Sequence, residues 1–181
     1  WYDNSRYPNL YEDINGASFQ ATGLPRRYEA GMNVAWAMFN QMLARNGPGL
    51  MNGLIIAGGA GYAQGNEVAM RDREWVSFID SGTPWRRPND MVGVFFQHMD
   101  MSHTLQLQQE SSRALGLAYL SNQWGPVYGV QKWENTYEAF YSFNLAPATN
   151  LLADFQFLQH PGATTTFKDA AILGGQFTTN F

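Results

Sequence analysis

The chain has 181 residues, of which 45% are hydrophobic, 15% aromatic and only 14% charged, with a net charge of -4 and no cysteine. The acidic balance excludes a nucleic-acid binder, which needs a basic face to displace counterions from phosphates, and the missing cysteines exclude a disulfide scaffold or a thiolate metal centre while suiting passage through an oxidising compartment. The richest apolar run, 53–62, is diluted by glycines, so a membrane helix of about 20 residues is excluded and any membrane crossing has to use strands.

Taken in order, Trp1 to Asp3 reads as the end of a strand cut midway, so the chain is expected to be part of a longer protein. From Tyr28 to Leu43 the period is two. Tyr28, Ala30, Met32, Val34, Trp36 and Met38 make an oily side, and Glu29, Asn33, Ala35, Phe39 and Gln41 make a small or polar one. Such a strand is longer than the usual five or six residues and reaches across a bilayer, which needs about 9–11. Residues 50–64 continue as a strand of weak phase, and 74–81 and 91–101 follow as strands of mixed pattern. The segment 82–90 between them is a turn dense in breakers. Alternation is lost from Asp100 to Tyr128, where 111–120 suits a short helix inside a long loop.

The clearest ribbon is 131–145. It sets Trp133, Tyr137, Ala139, Tyr141, Phe143 and Leu145 against Lys132, Glu134, Thr136, Glu138, Ser142 and Asn144. After a turn at 146–149, the strand 150–159 sets Leu151, Ala153, Phe155 and Phe157 against Leu152, Asp154, Gln156 and Leu158, and a last strand runs from Asp169 to Phe181. That makes seven spanning strands and the remnant of an eighth. The short turns 44–49, 82–89 and 146–149 fall on one side and the long loop 100–130 on the other. Outer-membrane barrels have this arrangement, with short periplasmic turns, longer extracellular loops and a periplasmic C-terminus. The expected fold class is all-β, an antiparallel transmembrane β-barrel.

Several stretches resemble landmarks of the carbohydrate-selective (OprB-type) porin family: 28–43 with its Gln41-Met42-Leu43 ending, Arg87-Pro88-Asn89-Asp90-Met91-Val92-Gly93, Tyr137-Glu138-Ala139-Phe140-Tyr141, Asp154-Phe155-Gln156-Phe157 with His160-Pro161-Gly162, and the closing 170–181. The resemblance covers roughly 28–181. It implies the C-terminal seven or eight strands of a sixteen-stranded barrel, with 1–181 the C-terminal portion of one domain. It also implies passive diffusion of glucose-like sugars, no cofactor, and a monomer or homotrimer in the bacterial outer membrane. Its implied partners are sugars, outer-membrane lipids and, through the Phe181 strand, the barrel-assembly machinery. Asn89 stands where the family pattern leads one to expect an acid, and 100–130 shows little likeness.

The polar sides supply the expected pore-lining set: Asn33, Phe39, Gln41, Arg73, Lys132, Glu134, Glu138, Phe140, Asp154, Gln156 and Gln176. The turn at 146–149 places Glu138 opposite Gln156 and Asp154 near Phe140 or Ser142, a polar cluster at mid-membrane height. The plainer alternative is that these are ordinary lumen residues in bulk water. A glycosidase pair at Glu134 and Glu138 fails on geometry, since four residues of strand put them about 13 Å apart. No catalytic constellation is expected. Arg86 and Arg87 read as interfacial anchors or sugar donors. Trp36, Trp75, Trp133, Tyr137 and Tyr141 read as an aromatic girdle, with Phe39 and Phe140 as stacking candidates. His98 and His103, with Asp100 between, are a weak cation signal. Gly58-Gly59-Ala60-Gly61 lacks the Lys-Ser/Thr of a phosphate loop. The rival readings are an outer-membrane barrel enzyme and a soluble β-sandwich, which would bury Trp36, Tyr141 and Phe177 in one core.

Overall fold

A computed structural model describes residues 2–49, 52–83, 87–117 and 129–179; Trp1, Arg86, Phe181 and the middle of the 100–130 segment lie outside them. Eight strands follow one another along the chain: β1 (Tyr2–Asp13), β2 (Arg26–Arg45), β3 (Gly53–Gln64), β4 (Met70–Thr83), β5 (Arg87–Met101), β6 (Trp133–Ala146), β7 (Thr149–Gln159) and β8 (Ala170–Thr179). They form a single antiparallel sheet in chain order, β1 to β8. The short connections, such as 46–52 and 147–148, permit only an antiparallel neighbour, because a crossover to a parallel one needs a dozen or more residues. β1 and β8 are edges, so the sheet is open.

Three elements differ from the sequence reading. β1 is a strand of 12 residues, Tyr2–Asp13, and extends well beyond Asp3. Its alternation is hidden because its pairing with β2 slips between Asp3 and Arg6 and again between Pro8 and Asp13. The breaker-rich turn is shorter than 82–90, since Thr83 pairs with Arg87, and Pro88 is tolerated as the second residue of β5, near a strand start. The helix lies earlier than 111–120. α2 (His103–Ala114) begins at Ser102, whose side chain accepts a hydrogen bond from the Leu105 N–H at 3.2 Å, a serine N-cap. Its buried residues Leu105, Gln108, Gln109 and Ser112 recur at helical spacing, which is why a period of two disappears there.

The longer connections gather at one end of the sheet. Leu105 packs with Met101, Ala163, Leu10, Ala69 and Met99. The far end of α2 reaches the connection after β1, where Ser111 hydrogen-bonds Ser18 at 2.7 Å and Gln20, in the short helix α1 (Phe19–Thr22), donates to Ser112. α2, about 18 Å long at 1.5 Å per residue, thus spans the four strand spacings from β5 to β1. This end cluster is the apolar core. Among the described residues no second sheet packs on either face, which removes the sandwich: Trp36 is 65% and Phe177 64% exposed.

Gly53 opens β3 where a Cβ would lie 2.1 Å from the Ala44 carbonyl oxygen, a contact with backbone that cannot swing aside. Gly53→Ala in the full-length protein is therefore expected to destabilise by about 1–3 kcal/mol, as overpacking does. A lower temperature for the shift from folded to unfolded mobility on gels is the readout.

Candidate functional site

Residues directly opposite in an antiparallel ladder point to the same side, so the register of six consecutive pairings, β2 to β8, sorts the sheet into two faces. One rung runs Met38, Gly59, Trp75, Gln97, Thr136, Leu158, Ala170; the next runs Asn40, Ala57, Ser77, Phe95, Glu138, Gln156, Ile172; the third runs Met42, Ile55, Ile79, Gly93, Phe140, Asp154, Gly174. These share the ionic face. The other face carries rungs such as Phe39, Gly58, Val76, Phe96, Tyr137, Phe157, Ala171 and Gln41, Ile56, Phe78, Val94, Ala139, Phe155, Leu173.

The ionic face brings Arg73, Glu134, Glu138, Phe140, Asp154, Gln156 and Gln176 together. Glu138 stands opposite Gln156 and Phe140 opposite Asp154, as the turn at 146–149 required. Two of these side chains lie over glycines: the Phe140 ring covers Gly93, and the Asp154 carboxylate covers Gly174. Arg73 donates from Nε to Gln97 Oε1 at 2.8 Å, with a second bond from Nη2. Glu134 is tied to the mouth, accepting from the Gly162 N–H at 2.7 Å. Lys132 precedes β6. Its N–H donates to the Ala163 carbonyl at 2.6 Å, and its own carbonyl accepts from the Met101 N–H at 2.7 Å.

Asn33, Phe39 and Gln41 are not part of this set. They point to the opposite face, and the oily residues of β2, Met32 to Met42, share the ionic face with Glu138. Alternation gives the period of a strand but not which side is inside. The weak phase of β3 left nothing in the sequence to link β2 to β6. The same correction divides the expected girdle. Trp36 and Trp75 lie on the ionic face, Trp75 stacking on Phe95 at 6.2 Å between ring centroids, whereas Trp133, Tyr137 and Tyr141 lie on the other. That other face is an exposed apolar expanse, including Tyr62, Phe78, Val94, Tyr137, Phe155, Phe177 and Leu173, the last 84% exposed. Patches of this extent are not left bare to water in ordinary soluble monomers.

Two features escaped the sequence. Asp90 is 1% exposed, accepting from the Tyr141 hydroxyl at 2.7 Å and the Asn144 N–H at 2.9 Å while paired with Arg87. Asp90 thus fastens the start of β5 to β6, and the acid sought at Asn89 sits one residue later. The only signal was an Arg and an Asp three apart. Second, His98 does not pair with His103, which begins α2. Instead Asp72, Glu74 and His98 place donor atoms within 4.8 Å of one another, a mixed imidazole and carboxylate set of the kind transition cations accept. Asn135 Oδ1 lies 2.6 Å from His98 Nδ1, and Arg71 donates to Asp72 at 2.7 Å and to Asp100 at 2.6 Å. Only the pairing of β4 with β5 brings these together.

A family model described as carbohydrate-selective porin, OprB family, matches residues 1–181. None of the curated proteins matches. A solved structure, the high-pH form of Pseudomonas putida OprB, is similar with a TM-score of 0.86 and 18% identity over 99% of this chain and 43% of that one. The likeness is one of fold, and the chain spans less than half the length of that structure.

Replacing Asp90 by leucine leaves the Asn144 N–H and the Tyr141 hydroxyl without their acceptor, at about 1–3 kcal/mol for each donor orphaned. The Asp90→Leu full-length protein is expected to unfold several degrees earlier, with Asp90→Asn intermediate, in a thermal melt followed by circular dichroism.

Proposed function

The chain belongs to the carbohydrate-selective porin family, OprB, and from that premise we propose that it is one wall of a water-filled passage for sugars across a bacterial outer membrane. The family is one of channels, and the chain is not an enzyme. The observation that carries the reading is the division of one continuous sheet into a face whose middle rungs are exposed and apolar, with ionisable groups such as Asp72, Glu74, His98 and Asp80 toward its two ends, and a face bearing Arg73, Glu138 and Asp154. Each large apolar side chain left in water forgoes about 1.5–3 kcal/mol of burial. Acyl chains cover such a face without needing a shaped partner. A charge at the bilayer centre costs about 2.5–3.5 kcal/mol even on the mildest scale, so the ionic face belongs to water.

The open edges support a larger barrel. Unpaired N–H and C=O groups of β1 and β8 would cost several kcal/mol each in hydrocarbon, so further strands have to close the sheet. This fits eight strands of a sixteen-stranded barrel and, by resemblance of its landmarks, the C-terminal portion of one. On this reading the end that holds α2 is extracellular. The 147–148 turn is periplasmic, β8 is the strand offered to the assembly machinery, and the barrel works alone or as a homotrimer. Arg73, Glu138, Phe140, Asp154, Gln156 and Gln176 line the passage, with Glu134 and Lys132 at its mouth. Asn33, Phe39 and Gln41 lie on the lipid side.

Liposomes containing the full-length protein are expected to swell faster in glucose than in size-matched neutral solutes, and equal rates would overturn sugar selectivity. In the Glu138→Ala, Asp154→Ala double variant the glucose preference should change by a factor of about 2–12, the equivalent of hydrogen bonds worth about 0.5–1.5 kcal/mol. Membrane insertion should stay intact, because the apolar face is untouched.

A further inference from the structure

On the ionic face β3 presents, beyond Ile55, a run of small residues, Ala57, Gly59, Gly61 and Ala63, between two larger walls. Val34, Trp36 and Met38 rise from β2 on one side, and Arg73 and Trp75 from β4 on the other. β2 and β4 are two strand spacings apart, about 9.6 Å. The hollow they line has a volume of about 390 Å³, within the range of about 300–1,000 Å³ usual for small-molecule sites. Its floor is open at Gly61, where a Cβ would meet nothing nearer than 3.9 Å. At Gly59 the walls lean in, the Trp75 indole N lying 2.8 Å and Met38 Cγ 3.0 Å from where a Cβ would be.

We propose that this glycine-floored trough is a binding subsite for a pyranose ring in transit, and that Trp36, Trp75 and Arg73 set which sugars the passage favours. The inference rests on the sugar-passage reading above and adds its specificity-determining residues. Trp36 keeps an exposed indole in the water-filled lumen and Trp75 is braced by Phe95. Trp36 is 65% exposed and Trp75 partly so, and the C–H face of a pyranose is the apolar cover that such rings accept. The hydroxyls at the ring edge meet a guanidinium fork, two of whose five donors point to Gln97. Planar donors spaced this way suit the vicinal hydroxyls of a pyranose. A linear polyol carries the same hydroxyls without a ring face, so stacking chemistry separates the two.

The test is glucose-induced block of the ion current through the full-length protein in planar bilayers, with sorbitol as the ringless control. Trp36→Ala and Trp75→Ala are each expected to raise the half-blocking glucose concentration about 3- to 10-fold, in line with aromatic contacts elsewhere. Trp75→Phe should stay within about twofold of the parent. Gly61→Leu, built where the floor has room, should abolish the block while the open-channel current and heat-modifiable folded band persist. Sorbitol should not block the parent. Unchanged block in all three disruptive variants overturns the subsite while leaving sugar passage standing. Lower thermal stability with unchanged block also overturns it, because the trough is then filled by another segment of the protein. A parent that conducts ions but passes no sugar in liposomes overturns both.

Discussion

The backbone ladder is the constraint on which everything else in this molecule depends. Each antiparallel pairing forces the residues of one rung to one side, and no bulge interrupts the central rungs from β2 to β8. Deciding which solvent Glu138 sees therefore decides it for Met38, four pairings away in the same sheet. A one-residue slip anywhere would exchange the sides of every strand beyond it. The apolar residues opposite, from Phe39 to Leu173, hold the register in place, because a slip would carry them into water.

Strand existence was legible in the sequence and side was not. The ribbons 131–145 and 150–159 announced themselves by their own alternation, and their mutual register followed from a tight turn, so Glu138 opposite Gln156 could be read in advance. β2 has as clean a period, yet Asn33, Phe39 and Gln41 lie on the face opposite Glu138, because polarity within one strand is a local measure. The face is settled by the whole sheet. Pairing with β3 and β4 sets Trp36 and Met38 beside Arg73 and Trp75.

Other features were illegible for different reasons. β1 hides behind two register slips, and Asp90 owes its burial to Tyr141 and Asn144, more than fifty positions away in the chain. The cation-type trio of Asp72, Glu74 and His98 is likewise made by a strand pair, so the nearer His103 was a false lead. α2 was placed late because its buried side is made of glutamine and serine as well as leucine, which weakens an apolar periodicity. Part of that polar underside is satisfied in place: Gln109 and Gln131 exchange two hydrogen bonds at 2.8 and 2.7 Å, and Gln131 reaches the Gly162 carbonyl at 2.9 Å.

Two glycines two positions apart on β3 have opposite steric freedom. Gly61 accepts a side chain that meets nothing nearer than 3.9 Å at its Cβ, so a single substitution there adds bulk to that face of the sheet without a second change. Gly59 is locked to the indole above it, and a larger residue at that site requires a simultaneous change at Trp75 or Met38.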